Sequence, residues 1–187
     1  MQHGKHWIVV AAMVGVAQLP GVYNLGAQAP ADGGLPKSRV RSEDRVLAGF
    51  ITRASLGSAT FRHLLTTIES TNGIVYVEAG KCSHGGVRAC LQMWMYAAGG
   101  NRFLRVRVDR QRADSDLDVM TSIGHELQHA IEALSDATVV DGTTLYSFFR
   151  RYAPTDDNRF ETTAAVTIGN TIRDEIQASE RSGHRPR

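Results

Sequence analysis

Two histidines four residues apart, with a glutamate between them, stand out in this chain: His125-Glu126-Leu127-Gln128-His129. On an α-helix such positions lie one turn apart on one face, so both imidazoles can reach a single cation. Two neutral nitrogen donors suit Zn²⁺, which in catalytic sites takes three protein ligands and keeps one position open. Glu126 is placed to reach a water rather than the metal. The competing reading is a pair of surface histidines on the polar side of an amphipathic helix. The metal reading needs a third ligand. Glu161, 32 residues after His129, is the first choice, in the opening turn of a helix that starts near Asn158. Ala164 and Ala165 would let that helix pack closely. Glu161 also reads as the far end of an Asn158-x-x-Glu161 capping box. Glu132 lies one turn past His129 and is the second choice, or a support for the His129 ring. Asp156 and Asp157 are more remote choices. His63 and His84 lie upstream of the motif, and His184 sits in the polar tail.

The elements that must hold these residues follow from periodicity. Asp114-Ser115-Asp116 opens a long helix whose apolar stripe is Val119, Met120, Ile123, Leu127, Ala130, Ile131 and Leu134. Two helices precede it in the chain. One starts at Ser42-Glu43-Asp44 and carries Val46, Leu47, Phe50, Ile51 and Ala54. Leu56-Gly57-Ser58 separates it from a second with Phe61, Leu64, Leu65 and Ile68. Three strands are expected, over 74–78, 89–97 and 101–109, with Ala98-Gly99-Gly100 turning the last two into a hairpin. Leu91, Met93 and Met95 should share one face, as should Leu104, Val106 and Val108. A short helix carries Leu145, Phe148, Phe149 and Tyr152. A last helix, running to about 178, carries Phe160, Ala164, Ala165, Ile168, Ile172 and Ile176. The class is α+β.

Composition narrows the function. The chain has 187 residues, with 21 Lys+Arg against 19 Asp+Glu and a net charge of +2. That balance, without any block of like charge, argues against nucleic-acid binding. At the start, Lys5 and His6 precede an apolar run from Trp7 to Ala17, and no charged residue recurs until Asp32. This is the pattern of a secretory signal, with the cut placed after Ala29-Pro30-Ala31. The run is shorter than the ~20 residues of a spanning helix, so an uncleaved anchor is second choice and no stable membrane span is expected after cleavage. The organisation is therefore a signal peptide over 1–31, a flexible lead-in over 32–41, one domain over 42–179 and a polar tail over 180–187. An exported, periplasmic or secreted, chain permits a local disulfide between Cys82 and Cys90. The alternatives are two buried thiols, or a Cys82/His84/Cys90 metal site that lacks a fourth ligand.

The His125–Glu126–His129 motif with Glu161 resembles the zincin metallopeptidases, of the gluzincin type with a glutamate third ligand. Segments 73–77, 103–106 and 161–165 are similar to those of a group of small exported bacterial proteins, so the resemblance spans roughly residues 55–178. Ser135 and Glu132 stand where the metzincin pattern has histidine and glycine, which excludes that branch. The resemblance implies a minimal zincin layout: a small three-stranded twisted sheet packed on the active helix, the following glutamate helix, and two N-terminal helices. It implies that strand 101–109 is the edge that pairs with an extended peptide. Zn²⁺ would be held by His125, His129 and Glu161, and a metal-activated water would attack a peptide bond with Glu126 as general base. Tyr146 and Tyr152 are the candidates for steadying the oxyanion. Ala165 replaces the acid usual four residues past the third ligand. The implied partner is a peptide or protein substrate, acted on by a monomer. Two alternatives stay open: a non-catalytic zincin-like domain that binds metal or a partner, and an interaction module in which the motif is accidental.

Overall fold

The computed structural model describes residues 38–83, 86–152 and 160–183. The signal peptide expected over 1–31 lies outside the described residues, as do His84, Asp156, Asp157, Asn158 and His184.

The N-terminal half begins with two capped helices. Asp44 accepts from the N–H groups of Val46 and Leu47 at the start of α1 (Arg45–Gly57). Ser58 ends α1 and also caps α2 (Ala59–Glu69) through Phe61 N. One residue thus serves both ends of a sharp break, as expected for a side chain that competes for backbone donors. Leu47, Phe50 and Ala54 of α1 and Phe61, Leu64 and Ile68 of α2 are buried.

The sheet has four strands rather than the three expected from sequence. They are β1 (Val40–Arg41), β2 (Gly73–Ala79), β3 (Ala89–Ala98) and β4 (Asn101–Val108), in the order β1-β2-β4-β3. The additional strand falls in the segment expected to be a flexible lead-in. Val40 pairs with Val75 and is buried, which ties that segment to the core. β1, β2 and β4 are parallel, and β3 joins β4 antiparallel. Gly99 and Gly100, at φ +56° and +78°, make the two-residue turn between them. β4 is therefore interior, and β1 and β3 are the two edges. Expecting 101–109 at the edge is thereby corrected: alternation reveals which face is buried but not which strand is the neighbour.

Leu104, Val106 and Val108 face the core as expected, with Leu91 and Met95 beside them. Met93 does not. The pairing jumps from Leu91↔Val106 to Met95↔Leu104, so Gln92, Met93 and Trp94 bulge opposite Arg105 alone. A bulge re-aims side chains, and Met93 is turned outward to 38% exposure.

α3 (Asp116–Ser135) packs on the buried face of the sheet. Ser115 caps its start by accepting from Asp118 N. Its far end is tied down by Arg102 of β4, a buried guanidinium that donates to the carbonyls of Leu134, Asp136 and Val139. These are carbonyls that no helical N–H can reach. α4 (Gly142–Tyr152) buries Leu145, Phe148 and Phe149. Tyr152, expected on the same stripe, is 64% exposed.

α5 (Thr163–Gly183) starts later and ends later than expected. Thr162 caps it through Ala165 N, so Glu161 precedes the helix instead of occupying its first turn. Ser182 and its neighbours, expected in a polar tail, belong to the helix. Ala165 is buried but Ala164 is exposed. The close approach of α5 to α3 is made by glycines instead. A Cβ on Gly169 would sit 3.6 Å from His125 Cβ, and one on Gly124 would sit 2.3 Å from Ile172 Cδ1. Among the described residues no helix is long and apolar enough to cross a membrane.

Candidate metal centre

The middle of α3 carries the site. His125, Glu126 and His129 lie where α3 faces both the β3 edge and the start of α5. They are not on a solvated face: Glu126 is 7% and His129 4% exposed. His125 is partly covered, with Gly169 of α5 against its ring.

Glu161 closes the group. Its Oε1 lies 2.9 Å from His125 Nε2 and 3.4 Å from His129 Nε2. One donor atom from each of the three residues falls within 4.8 Å of the others. The set comprises two imidazoles and a carboxylate, the chemistry that a divalent transition metal selects. No other such group of three is found among the described residues. Cys82 and Cys90 are joined in a disulfide, so neither thiol is available for a Cys/His site. His63 is exposed on α2 and stands outside the group.

Glu132 does not join the ligand atoms but supports them. Its Oε2 lies 3.0 Å from His129 Nδ1, and its Oε1 accepts from Thr162 Oγ1 at 2.8 Å and from Gln128 Nε2 at 3.2 Å. A carboxylate only accepts, so it fixes a proton on Nδ1 and leaves Nε2 turned toward Glu161. Through Thr162 the same side chain also holds the residue next to Glu161. The ring of Phe149 meets His129 edge-on at 5.5 Å and limits its rotation.

The electrostatics follow from burial and contact. Burial opposes charge on His129, but hydrogen bonds to Glu132 and Glu161 outweigh it and raise its pKa to about 9 in the metal-free protein. Burial would raise Glu161, yet its contacts with His125 and His129 prevail and hold it down at about 2. Glu126 moves the other way. Desolvation raises its pKa, against the pull of His129, His125 and the Leu91 N–H.

A cavity of about 330 Å³ opens over this group. Leu91, Met93, Tyr146, Phe149 and Phe160 give it apolar walls, and His125, Glu126, His129 and Glu161 lie on its surface. Tyr146 therefore stands at the site, whereas Tyr152 does not line this cavity. The Cys82–Cys90 disulfide anchors the strand end that borders it, and Cys90 itself is part of the wall.

No family model, curated protein or solved structure matches this chain.

Several contributors had no sequence signal. The Leu91 N–H donates to Glu126 Oε2 at 2.6 Å, a backbone contact that depends on which strand is the edge. Phe149 was legible only as core. Thr162 could have been noticed as the cap of α5, since a threonine before an apolar run is a usual helix start.

Proposed function

We propose that this protein is an exported zinc-dependent peptidase of minimal zincin-like layout. The observation that supports it most is the convergence of His125 Nε2, His129 Nε2 and Glu161 Oε1 beside a buried carboxylate, Glu126, next to an edge strand. The donor set fits zinc: two imidazoles, one of them oriented by Glu132, and one carboxylate held deprotonated. Bound there, zinc supplies acidification of water and polarisation of a carbonyl oxygen.

The protein's own residues do the rest. β3, an edge strand beyond Leu91 and its bond to Glu126, receives an extended segment of substrate by strand addition. The apolar cavity seats a side chain beside the scissile bond. Glu126, whose raised pKa brings its basicity closer to neutral pH, takes a proton from the attacking water and returns it to the leaving amine. Water and the amide are consumed, and a carboxylate and an amine are released. The Tyr146 hydroxyl, at the cavity wall, donates to the carbonyl oxygen as negative charge develops on it. The Cys82–Cys90 disulfide suits an oxidising compartment outside the cytoplasm.

One observation favours a second reading, a metal-binding domain without turnover. Glu126 Oε2 is already engaged by Leu91 N–H. Cleavage of a peptide library by the zinc-loaded protein separates the two readings. The peptidase reading expects cleavage, and a Glu126→Gln variant that keeps its zinc but loses activity by ~10²–10⁴-fold. Undiminished activity in that variant overturns it, and zinc without any cleavage favours the second reading.

A further inference from the structure

The metal cluster is flanked by two cavities of opposite character. The apolar one extends from His125 toward His129 along α3, and from Ser83 and Val87 along β3 as far as Met93. A second, of about 510 Å³, shares His125, Glu126, Glu161, Val87 and Ala89 but extends the other way along α3, past Ser122 and Thr121, and adds Gly86 and Arg88 on the β3 side. Arg88, just before β3, Arg112, between β4 and α3, and Arg173, on α5, line it. Their side chains are 41%, 50% and 32% exposed, so a ligand can reach all three. Their acidic partners are fewer. Asp118 accepts from Arg173 at 2.6 Å and lies 3.8 Å from Arg88, while Asp109 lies 3.3 Å from Arg112. Among the described residues these three guanidiniums pair with two carboxylates, and the Arg173 hydrogen bond lowers the pKa of Asp118.

Strand direction gives this side a meaning. β3 runs from Ala89, beside the arginines, to Ala98, beyond the apolar cavity. An extended peptide that pairs with it antiparallel, the more stable arrangement, enters with its N-terminal part over the apolar cavity. Its C-terminal part then lies over the arginines. Building on the peptidase reading, we infer that Arg88, Arg112 and Arg173 form a carboxylate subsite for the substrate on the C-terminal side of the scissile bond. The carboxylate is that of an Asp or Glu side chain or the terminal carboxylate of the peptide itself. Guanidinium groups suit it because their forked donors match its two oxygens. An apolar residue before the bond and a carboxylate after it define the preferred substrate.

The test uses the zinc-loaded Glu126→Gln protein, so that binding is read without turnover. Fluorescent peptides share one apolar segment followed by Asp, Asn or Lys, each with a free or an amidated C-terminus. Carboxylate-bearing peptides are expected to bind about tenfold more tightly than their neutral counterparts. An Asp-over-Asn difference assigns the side chain, and a free-over-amide difference assigns the terminus; either supports the subsite. Adding Arg112→Gln or Arg88→Gln should abolish the difference, and Arg112→Lys should restore part of it. Cleavage of the same peptides by the parent protein runs in parallel. Cleavage with no carboxylate preference, or tighter binding of the Lys peptides, overturns the subsite and leaves the peptidase reading standing. No cleavage of any peptide by a protein carrying one zinc overturns that reading and the subsite together.

Discussion

The backbone N–H of Leu91 donates to Glu126 Oε2 across 2.6 Å, joining the open edge strand to a buried carboxylate of α3. The bond explains how a glutamate can be both desolvated and fixed. Burial raises its pKa, and the strand amide gives the carboxylate one partner without neutralising it. On the proposed peptidase reading, a peptide that pairs with β3 lies against the strand whose amide holds Glu126.

Removal of Glu161 should remove the metal. Zinc content per chain is expected to be about one in the parent, after metal-supplemented refolding. Glu161→Ala should lower zinc affinity by more than the ~10–100-fold typical of losing an outer partner. Elemental analysis after dialysis against a chelator reads both. An unchanged zinc content in the variant would exclude Glu161 as a ligand.

Glu132→Ala should give the smaller, outer-partner effect, about 10–100-fold in zinc affinity. It frees the His129 ring and releases Thr162, next to Glu161. Glu132→Gln should fall between, since an amide oxygen can still accept from Nδ1. Competition with a chromophoric chelator ranks the three proteins.

The metal-free protein should respond to pH through His129. Its folded pKa, about 9 against an ordinary 6.5, means that the folded state binds the proton more tightly. The resulting stability is fully present below pH 6.5 and is lost as pH rises through about 9. Proton and metal compete for the same Nε2, so apparent zinc affinity should climb over that window. Melting curves from about pH 6 to about 10, with and without zinc, check the sign: the metal-free melting temperature falls, and the gap between the two curves widens.

Gly124→Ala should destabilise by about 1–3 kcal/mol. The new Cβ meets Ile172 Cδ1 at 2.3 Å and Phe61 Cδ2 at 3.3 Å, so the fully buried Ile172 side chain must shift to admit it. Separating α5 from α3 also draws Glu161 away from His125, so zinc affinity should fall with the melting temperature. Gly49→Ala, in α1 with nothing within 4 Å of the new Cβ, is the control and should be neutral or stabilising.

Replacing both Cys82 and Cys90 by serine opens a loop whose ends are eight residues apart. Chain entropy alone gives a loss of about 2–3 kcal/mol. Because Cys90 precedes Leu91, the anchor on Glu126 should loosen as well. Chemical denaturation measures the first effect, and a lower kcat at unchanged zinc content measures the second.

Much of the fold was legible because its elements are locally consistent. The Ser115 cap, the Gly99-Gly100 turn and the alternation of β4 each point one way in sequence and in structure. What escaped was decided by packing between distant segments. β1 is a two-residue strand with no periodicity to read, and only its pairing with Val75 makes it one. Met93 breaks its predicted face because of a bulge, and a bulge leaves no mark on an alternating string of residues. Tyr146 and Tyr152 looked equivalent, but only Tyr146 reaches the cavity. His125, Glu126 and His129 could be named from their spacing. The supports around them, Leu91 N–H, Thr162 and Phe149, arrive from three other elements and depended on the tertiary arrangement.

The N-terminus of α2 is closed by the far end of the chain. Glu175, on α5, accepts from Ser58 Oγ, Thr60 N and Thr60 Oγ1. A chain made from its N-terminus onward completes α1, α2 and the whole sheet before this carboxylate exists. Glu161 belongs to the same late segment. A nascent or truncated product therefore lacks both the clamp on α2 and the carboxylate that meets His125 and His129. Synthesis order itself therefore keeps His125 and His129 without the Glu161 carboxylate until the segment that leads into α5 has been made and has docked.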